Sequence, residues 1–86
     1  MKSISIIIPA FNESKTIVEV VNKIKTISEI SEIIVIDDAS TDNTYELIKG
    51  LNIIALKNPY NKGNGASVKN GILNATSDYC LVIDGD

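Results

Sequence analysis

The sequence predicts an α/β fold with a mostly parallel sheet and helices packed on its faces. Dense runs of β-branched residues, such as Ile6-Ile7-Ile8 and Ile33-Ile34-Val35-Ile36, are typical of strands that are buried on both sides. Segments with the apolar spacing of helices separate these runs, so the predicted order of elements is βαβαβαβ. That alternation favours parallel strands within one sheet.

The four predicted strands are residues 3–9, 32–37, 52–56 and 79–83. We expect Pro9 to end the first strand, because proline has no N–H to donate to the ladder. The helix that follows can be capped by Asn12 or Ser14. Its apolar face is formed by residues at i, i+3, i+4 and i+7, which are Ile17, Val20, Val21 and Ile24.

Two further helices are predicted after the second and third strands. The first of them runs from about Asn43 to Lys49, and its opening residue together with Glu46 resembles a capping box. We expect Gly50 to end it in a left-handed conformation. The other spans Ala66 to Ala75, where we expect Gly71 to allow close packing of the helix on a strand. The side chains predicted to face inward are Val68, Ile72 and Ala75.

Composition limits the chemistry that this segment can perform. A length of 86 residues allows one domain, and the net charge of −3 comes with eight lysines that form no basic stripe. Nucleic acid is therefore not an expected partner. The absence of histidine excludes a Ser-His-Asp triad, a Cys-His pair and a histidine-built zinc site. Carboxylates, backbone amides, lysines or a hard metal ion must carry any chemistry.

Cysteine content and hydropathy indicate the cellular compartment in which the protein is expected. The single Cys80 lies in an apolar run, where we expect a buried structural thiol, and one cysteine cannot form an internal disulfide. No run approaches the roughly 18 apolar residues of a membrane span. We expect a cytoplasmic protein, and this expectation allows the full-length chain to act at the inner face of a membrane.

Acidic clusters follow three of the predicted strands. They lie in Pro9-Ala10-Phe11-Asn12-Glu13, in Asp37-Asp38 and in Asp84-Gly85-Asp86. Ligands of open parallel sheets bind outside the carboxyl ends of the strands, so these clusters are expected to converge on one edge. Each cluster alone is also compatible with an ordinary turn or cap. Asp84 and Asp86 can point toward one cation, and hard oxygen ligands suit Mg²⁺ or Mn²⁺.

Three other features fit a nucleotide ligand. One carboxylate of the Asp37-Asp38 pair can cap the following turn, which leaves the other for a nucleobase or ribose. Phe11 can stack on a base, although a hydrophobic staple at a helix start explains it nearly as well. Lys62-Gly63-Asn64-Gly65 can hold a diphosphate with a charge and exposed amides ahead of a helix.

Taken together, these segments resemble the family 2 glycosyltransferases. The ordered matches are Ile6 to Glu13, Ile34 to Thr44, Asn61 to Ala66 and Asp84 to Asp86, and they extend over nearly the whole chain. The resemblance implies the GT-A fold, a Rossmann-like fold that binds nucleotide-diphosphate sugars. It also implies that an acceptor hydroxyl or phosphate attacks the anomeric carbon while a metal ion assists departure of the nucleoside diphosphate.

The same resemblance suggests roles for individual residues. Those implied to line the nucleotide-sugar site are Pro9, Ala10, Phe11, Glu13, Ile36, Asp38, Lys62, Asp84 and Gly85. Asp84 and Asp86 are implied to hold the metal. The loop at Asn61 and the helix after Ala66 look most similar to polyprenyl-phosphate and dolichol-phosphate sugar transferases, so the acceptor is expected to be a lipid phosphate or a saccharide.

Alternatives remain at this level. A nucleotidyltransferase of related fold would need a glycine- and arginine-rich loop after the first strand, and the chain has no arginine. A receiver domain would place its acidic pair after the first strand, whereas here the pair follows the second. The third alternative is a non-catalytic nucleotide-binding fragment. We expect residues 1–86 to be the N-terminal, donor-binding part of a truncated catalytic domain, with its catalytic base beyond residue 86 and no sugar transfer by this segment alone.

Overall fold

A computed structural model describes residues 2–84 and contains one four-stranded sheet. The strands are β1 (Ile4–Ala10), β2 (Glu32–Asp37), β3 (Ile54–Lys57) and β4 (Tyr79–Val82). Their order in the sheet is β3-β2-β1-β4, and every pairing is parallel. The predicted α/β class, element order and parallel sheet are confirmed.

Three helices connect the strands and cover both faces of the sheet. They are α1 (Ile17–Lys25), α2 (Thr44–Lys49) and α3 (Asn64–Asn74). Side chains of α1 and α2 pack with Ile6, Ile8 and Val35 on one face, while α3 lies against Ile7 and Ile36 on the other. Because both faces are covered, the central strands need apolar side chains on both sides, which explains the Ile and Val runs in their middle.

The packing of α3 differs from the prediction. Its buried residues are Ser67 and Gly71, whereas Ile72 and Leu73 are exposed. A Cβ atom at Gly71 would lie 2.6 Å from Ile7 Cγ2 and 2.7 Å from Ile36 Cδ1. The predicted close approach at Gly71 is therefore confirmed. The predicted inward position of Ile72 is wrong, because the helix turns its smallest side chains toward the sheet to come this close.

Pro9 does not end β1, which continues to Ala10. Pro9 interrupts the hydrogen bonds to β4 and leaves those to β2 intact. The C=O of Ile7 accepts a hydrogen bond from the N–H of Ile83 at 3.0 Å, and the next bond on that side would need an N–H from Pro9. Pairing with β4 consequently stops here, while β1 continues alongside β2 as far as Asp37.

Several predicted helix ends are also corrected. The N-cap position of α1 is Thr16, and neither Asn12 nor Ser14 takes it. In the described part of the chain, Asn43 makes no side-chain capping bond to α2, so the capping-box expectation is wrong. Gly50 has φ of −85°, and the left-handed residue lies two positions later, at Asn52, with φ of 57°. The third strand accordingly starts later than predicted, at Ile54.

The strand β4 forms one edge of the sheet. Tyr79, Leu81 and Val82 are each about half exposed. Cys80 is half-buried on the α3 side of the sheet, whereas a buried thiol was predicted. Within residues 2–84 no helix is both long and apolar enough to cross a membrane.

Candidate functional site

The candidate site lies at the carboxyl edge of the sheet, where the loops after β1, β2 and β3 meet. These loops are residues 11–16, 38–43 and 58–63, and each leads into a helix. The parallel register places Ala10 beside Asp37 and Asp37 beside Lys57, so the three loops start side by side. The predicted convergence of the first two acidic segments on one edge is confirmed.

The first two loops are hydrogen bonded to each other through Asn12. Its side-chain Oδ1 accepts from the N–H of Thr41 at 2.8 Å and from the N–H of Asp42 at 3.3 Å. Its own N–H donates to Ser40 Oγ at 2.8 Å. Asn12 has φ of 53°, a left-handed conformation that asparagine tolerates better than most residues.

Glu13 and Ser14 extend this contact toward α2. The N–H of Glu13 donates to Thr44 Oγ1 at 3.0 Å, and the N–H of Ser14 donates to Asp42 Oδ2 at 3.3 Å. The hydrogen bond from the Thr44 hydroxyl is the largest of several that lower the pKa of Asp42. Asp42 therefore stays ionised at neutral pH and anchors the start of α1.

Asp37 is a buried carboxylate that caps its own turn. Its side chain is 0% exposed, and Oδ2 accepts from the N–H of Ser40 at 3.2 Å, as predicted for one member of the acidic pair. Among the described residues, Asp37 Oδ1 is the only buried side-chain oxygen or nitrogen without a hydrogen-bond partner. Asp37 therefore stabilises the turn after β2 through its bond to Ser40 and has no exposed atom for a ligand.

Asp38 has more partners than the sequence suggested. Its side chain is 5% exposed, and Oδ1 accepts from the Lys62 N–H at 2.8 Å and from Asn58 Nδ2 at 2.9 Å. Oδ2 accepts from the Gly63 N–H at 2.9 Å. Desolvation raises the pKa of Asp38, but these three hydrogen bonds and the Lys62 charge together lower it more. The carboxylate is not free, although it retains acceptor capacity for one further donor.

The loop before α3 is shaped by this carboxylate. Because the N–H groups of Lys62 and Gly63 point to Asp38, they are not available to an anion, contrary to the expected amide cradle. Gly63 has φ of 96°, which strains any residue with a Cβ. The Lys62 ammonium lies 5.2 Å from the centroid of the Tyr60 ring, at the surface.

The remaining sequence-predicted residues differ in exposure. Phe11 is 44% exposed at the end of β1, so its ring is accessible to a ligand. Pro9, Ala10 and Ile36 are buried in the sheet, and Ile36 packs against α3, so their side chains are not accessible to a ligand as the resemblance implied. Asp84 is exposed just after β4, beside β1.

The predicted metal site is only partly described. Gly85 and Asp86 lie outside the described residues. Within residues 2–84 there is no group of three or more carboxylate, cysteine or histidine side chains arranged to hold a metal ion. The exposed carboxylate of Asp84 at the carboxyl edge is a hard oxygen donor and fits one ligand position of Mg²⁺ or Mn²⁺.

Two residues of this region were missed by sequence reasoning. The sequence places Asn12 in the first acidic segment and offers it as a helix cap, but does not indicate that it joins two loops. The sequence assigns Asn58 only to a loop, yet Asn58 is 2% exposed, and its amide donates to both Asp38 Oδ1 and Ser67 Oγ at 2.9 Å. The Asn-Pro dipeptide at Asn58 signals a turn, and nothing in the local sequence indicates that its side chain is buried.

Comparison with known proteins agrees with this geometry. The family model described as "Glycosyl transferase family 2" matches residues 5–86. A dolichyl-phosphate beta-glucosyltransferase of Dictyostelium discoideum is 37% identical over 99 residues, which cover 96% of this chain and 30% of that protein. The chain thus spans less than a third of the length of this curated relative.

Solved structures share the fold. Staphylococcus aureus TarS 1–349 in complex with UDP is 26% identical with a TM-score of 0.88, over 100% of this chain and 28% of that one. Glucosyl-3-phosphoglycerate synthase of Mycobacterium tuberculosis, in complex with Mn²⁺, UDP-glucose and phosphoglyceric acid, is 26% identical with a TM-score of 0.87, over 99% of this chain and 33% of that one. With the matching family model and the loops gathered at one sheet edge, the chain belongs to glycosyl transferase family 2.

Proposed function

We propose that this chain forms the donor-binding part of a glycosyltransferase that uses a UDP- or GDP-sugar. The observation that carries the proposal is the hydrogen-bonded meeting of the loops after β1, β2 and β3 at the carboxyl edge of the sheet. Ligand sites of parallel sheets are found at this edge. Relatives of the same fold were solved with UDP and with Mn²⁺ and UDP-glucose, which supports the ligand class.

Each accessible residue has a role that its chemistry allows. The exposed ring of Phe11 stacks on the base. Asp38 uses its remaining acceptor capacity for a donor of the base or ribose. Lys62, whose ammonium is at the surface, approaches the diphosphate as a point charge. The side chains of Pro9, Ala10 and Ile36 are buried, so these residues contact the nucleotide through their backbone. Glu13 lines the pocket beside Phe11.

Asp84 and Asp86 would hold the divalent metal, Mg²⁺ or Mn²⁺. A bound metal would neutralise the charge that develops on the departing nucleoside diphosphate. Asp84 would also reach the ribose, and Gly85 between the two carboxylates would let a phosphate approach.

The acceptor of the sugar is proposed for the full-length protein. The relative in Dictyostelium discoideum is named for dolichyl phosphate, which favours a polyprenyl phosphate acceptor over a saccharide. The catalytic base is proposed to lie outside these 86 residues, so the chain alone binds donor without transferring sugar. A cytoplasmic location and the absence of a nucleic-acid partner stay predictions.

The decisive experiment is a calorimetric titration of the chain with UDP and with GDP, each with and without Mn²⁺. We expect metal-dependent binding of one nucleotide, and loss of the metal dependence in Asp86→Ala. Glu29→Ala is the matched control, because Glu29 is an exposed acidic residue in the turn between α1 and β2, at the opposite end of the sheet. Binding that ignores Mn²⁺, or a folded chain that binds neither nucleotide, would contradict the proposal.

A further inference from the structure

We propose that Asn12 is a positioning residue that fixes the two walls of the donor site against each other. One wall is the loop that carries Phe11 and Glu13, and the other is the loop 38–43. This role rests on the proposed function, because it concerns the same pocket. Asn12 lies between two of the residues assigned to that pocket and is not itself assigned a ligand contact.

The hydrogen bonds of Asn12 all cross from one loop to the other. Its Oδ1 accepts the Thr41 N–H at 2.8 Å, the Thr41 hydroxyl at 3.3 Å and the Asp42 N–H at 3.3 Å. Its N–H donates to Ser40 Oγ at 2.8 Å. A single side-chain oxygen therefore gathers donors that are about thirty positions away in sequence.

The backbone of Asn12 contributes separately from its side chain. With φ of 53°, the chain turns in a left-handed conformation between Phe11 and Glu13. Glycine adopts this conformation at no steric cost and asparagine or aspartate with little, whereas alanine is strained there. The two contributions can consequently be separated by substitution.

The bonds of Asn12 are exposed to solvent, so their effect on global stability is modest, but they set the distance between the walls. A second pair of bonds, from Glu13 to Thr44 and from Ser14 to Asp42, holds the same loops further from the strand ends. Removal of the Asn12 side chain would therefore loosen the pocket without unfolding the chain.

Asn12→Gly keeps the left-handed backbone and removes the acceptor, while Asn12→Asp keeps both. The matched control is Asn52→Gly, the same change at another left-handed asparagine, which lies before β3 at the opposite end of the sheet. The measurements are amide hydrogen exchange at Thr41 and Asp42 by NMR, thermal unfolding, and calorimetric affinity for UDP and GDP with Mn²⁺.

In Asn12→Gly we expect faster exchange at both amides and an affinity about tenfold weaker, because ligand binding must then reorder the loosened loops, at a cost on the order of one power of ten in affinity. Asn12→Asp and Asn52→Gly are expected to stay within about twofold of wild type. Unchanged exchange in Asn12→Gly, or faster exchange with unchanged affinity, would overturn the positioning role alone. A wild-type chain that binds neither nucleotide would overturn the proposed function, and the positioning role with it.

Discussion

Gly71 and Ile7 are in contact across the interface between α3 and β1, and the glycine leaves no room for a larger residue. A Cβ atom at Gly71 would stand 2.6 Å from Ile7 Cγ2, closer than non-bonded carbons approach. Ile7 is fully buried in a central strand, so its side chain has little freedom to move away. This contact fixes how closely α3, and with it the loop that carries Lys62, lies on the sheet.

Gly71→Ala is therefore expected to destabilise the fold. Overpacking of this kind costs about 1–3 kcal/mol, of which the gain in helix propensity offsets up to about 1 kcal/mol. The measurement is the free energy of unfolding from a urea titration. Gly65→Ala, in the first turn of the same helix, is the control, because a Cβ there meets nothing within 4 Å. Equal stability of the two variants would show that α3 can shift outward freely.

Asn58 is expected to be a strong determinant of stability for a loop residue. Asn58→Ala leaves a buried Asp38 carboxylate and the Ser67 hydroxyl without the amide that joins them. Loss of such a buried partner costs about 1–3 kcal/mol. Asn74→Ala is the control, because Asn74 is exposed and bonds only within α3 among its described contacts. Urea unfolding of both variants tests the difference, and a loss below about 0.5 kcal/mol at Asn58 would contradict it.

Stability is expected to fall in acid through Glu32. The hydrogen bond from the Ser5 hydroxyl is the largest cause that lowers the pKa of Glu32 in the folded chain, followed by the bond from the Thr76 N–H. Because the pKa of Glu32 in the folded chain lies below the ordinary glutamate value of 4.5, the stabilising contribution is complete above that value. It is lost as the pH falls from there through the folded-state pKa.

Glu32→Gln should flatten this dependence, because glutamine keeps an acceptor oxygen and does not titrate. The test is the midpoint of thermal unfolding, measured between neutral pH and about pH 3, a range that spans the ordinary pKa of a glutamate carboxyl. Glu29→Gln, at an exposed position of the preceding turn, is expected to keep the slope of wild type. If Glu32→Gln shows the same change of unfolding midpoint with pH as wild type, Glu32 is not the source of the acid sensitivity.

Phe11→Leu is expected to weaken nucleotide binding by about tenfold, because leucine keeps an apolar side chain but cannot stack on a base. Little effect on folding is expected, since Phe11 is 44% exposed. Tyr79→Leu is the matched control, because Tyr79 is an exposed aromatic residue at the amino end of β4. Equal affinity of Phe11→Leu and wild type, measured by calorimetry, would remove Phe11 from the site.

The architecture could be predicted because its signals are local. Runs such as Ile33 to Ile36 report burial on both faces, and the helical spacing from Ile17 to Ile24 reports one apolar face. The same reasoning placed Phe11, Glu13 and Asp38 at one edge, because parallel strands bring their carboxyl ends together.

What could not be predicted depends on contacts between distant segments. The inward face of α3 was wrong because hydrophobicity favours Ile72, whereas the close approach of the helix selects Gly71 and Ser67. Likewise, nothing near Asp38 in sequence shows that the Lys62 and Gly63 amides, more than twenty positions later, occupy its carboxylate.

The order of strands in the sheet also has a consequence for how the chain acquires its structure. β1 lies between β2 and β4, and Ser3 is hydrogen bonded to Asp78 across 75 positions of the chain. During synthesis β1 has only one neighbour available until residues 79–82 have emerged. Contacts this distant in sequence slow folding, since a long loop must close before they form. Pairing of β4 with β1 is therefore expected to be a late event, which follows formation of the unit of β1, α1 and β2.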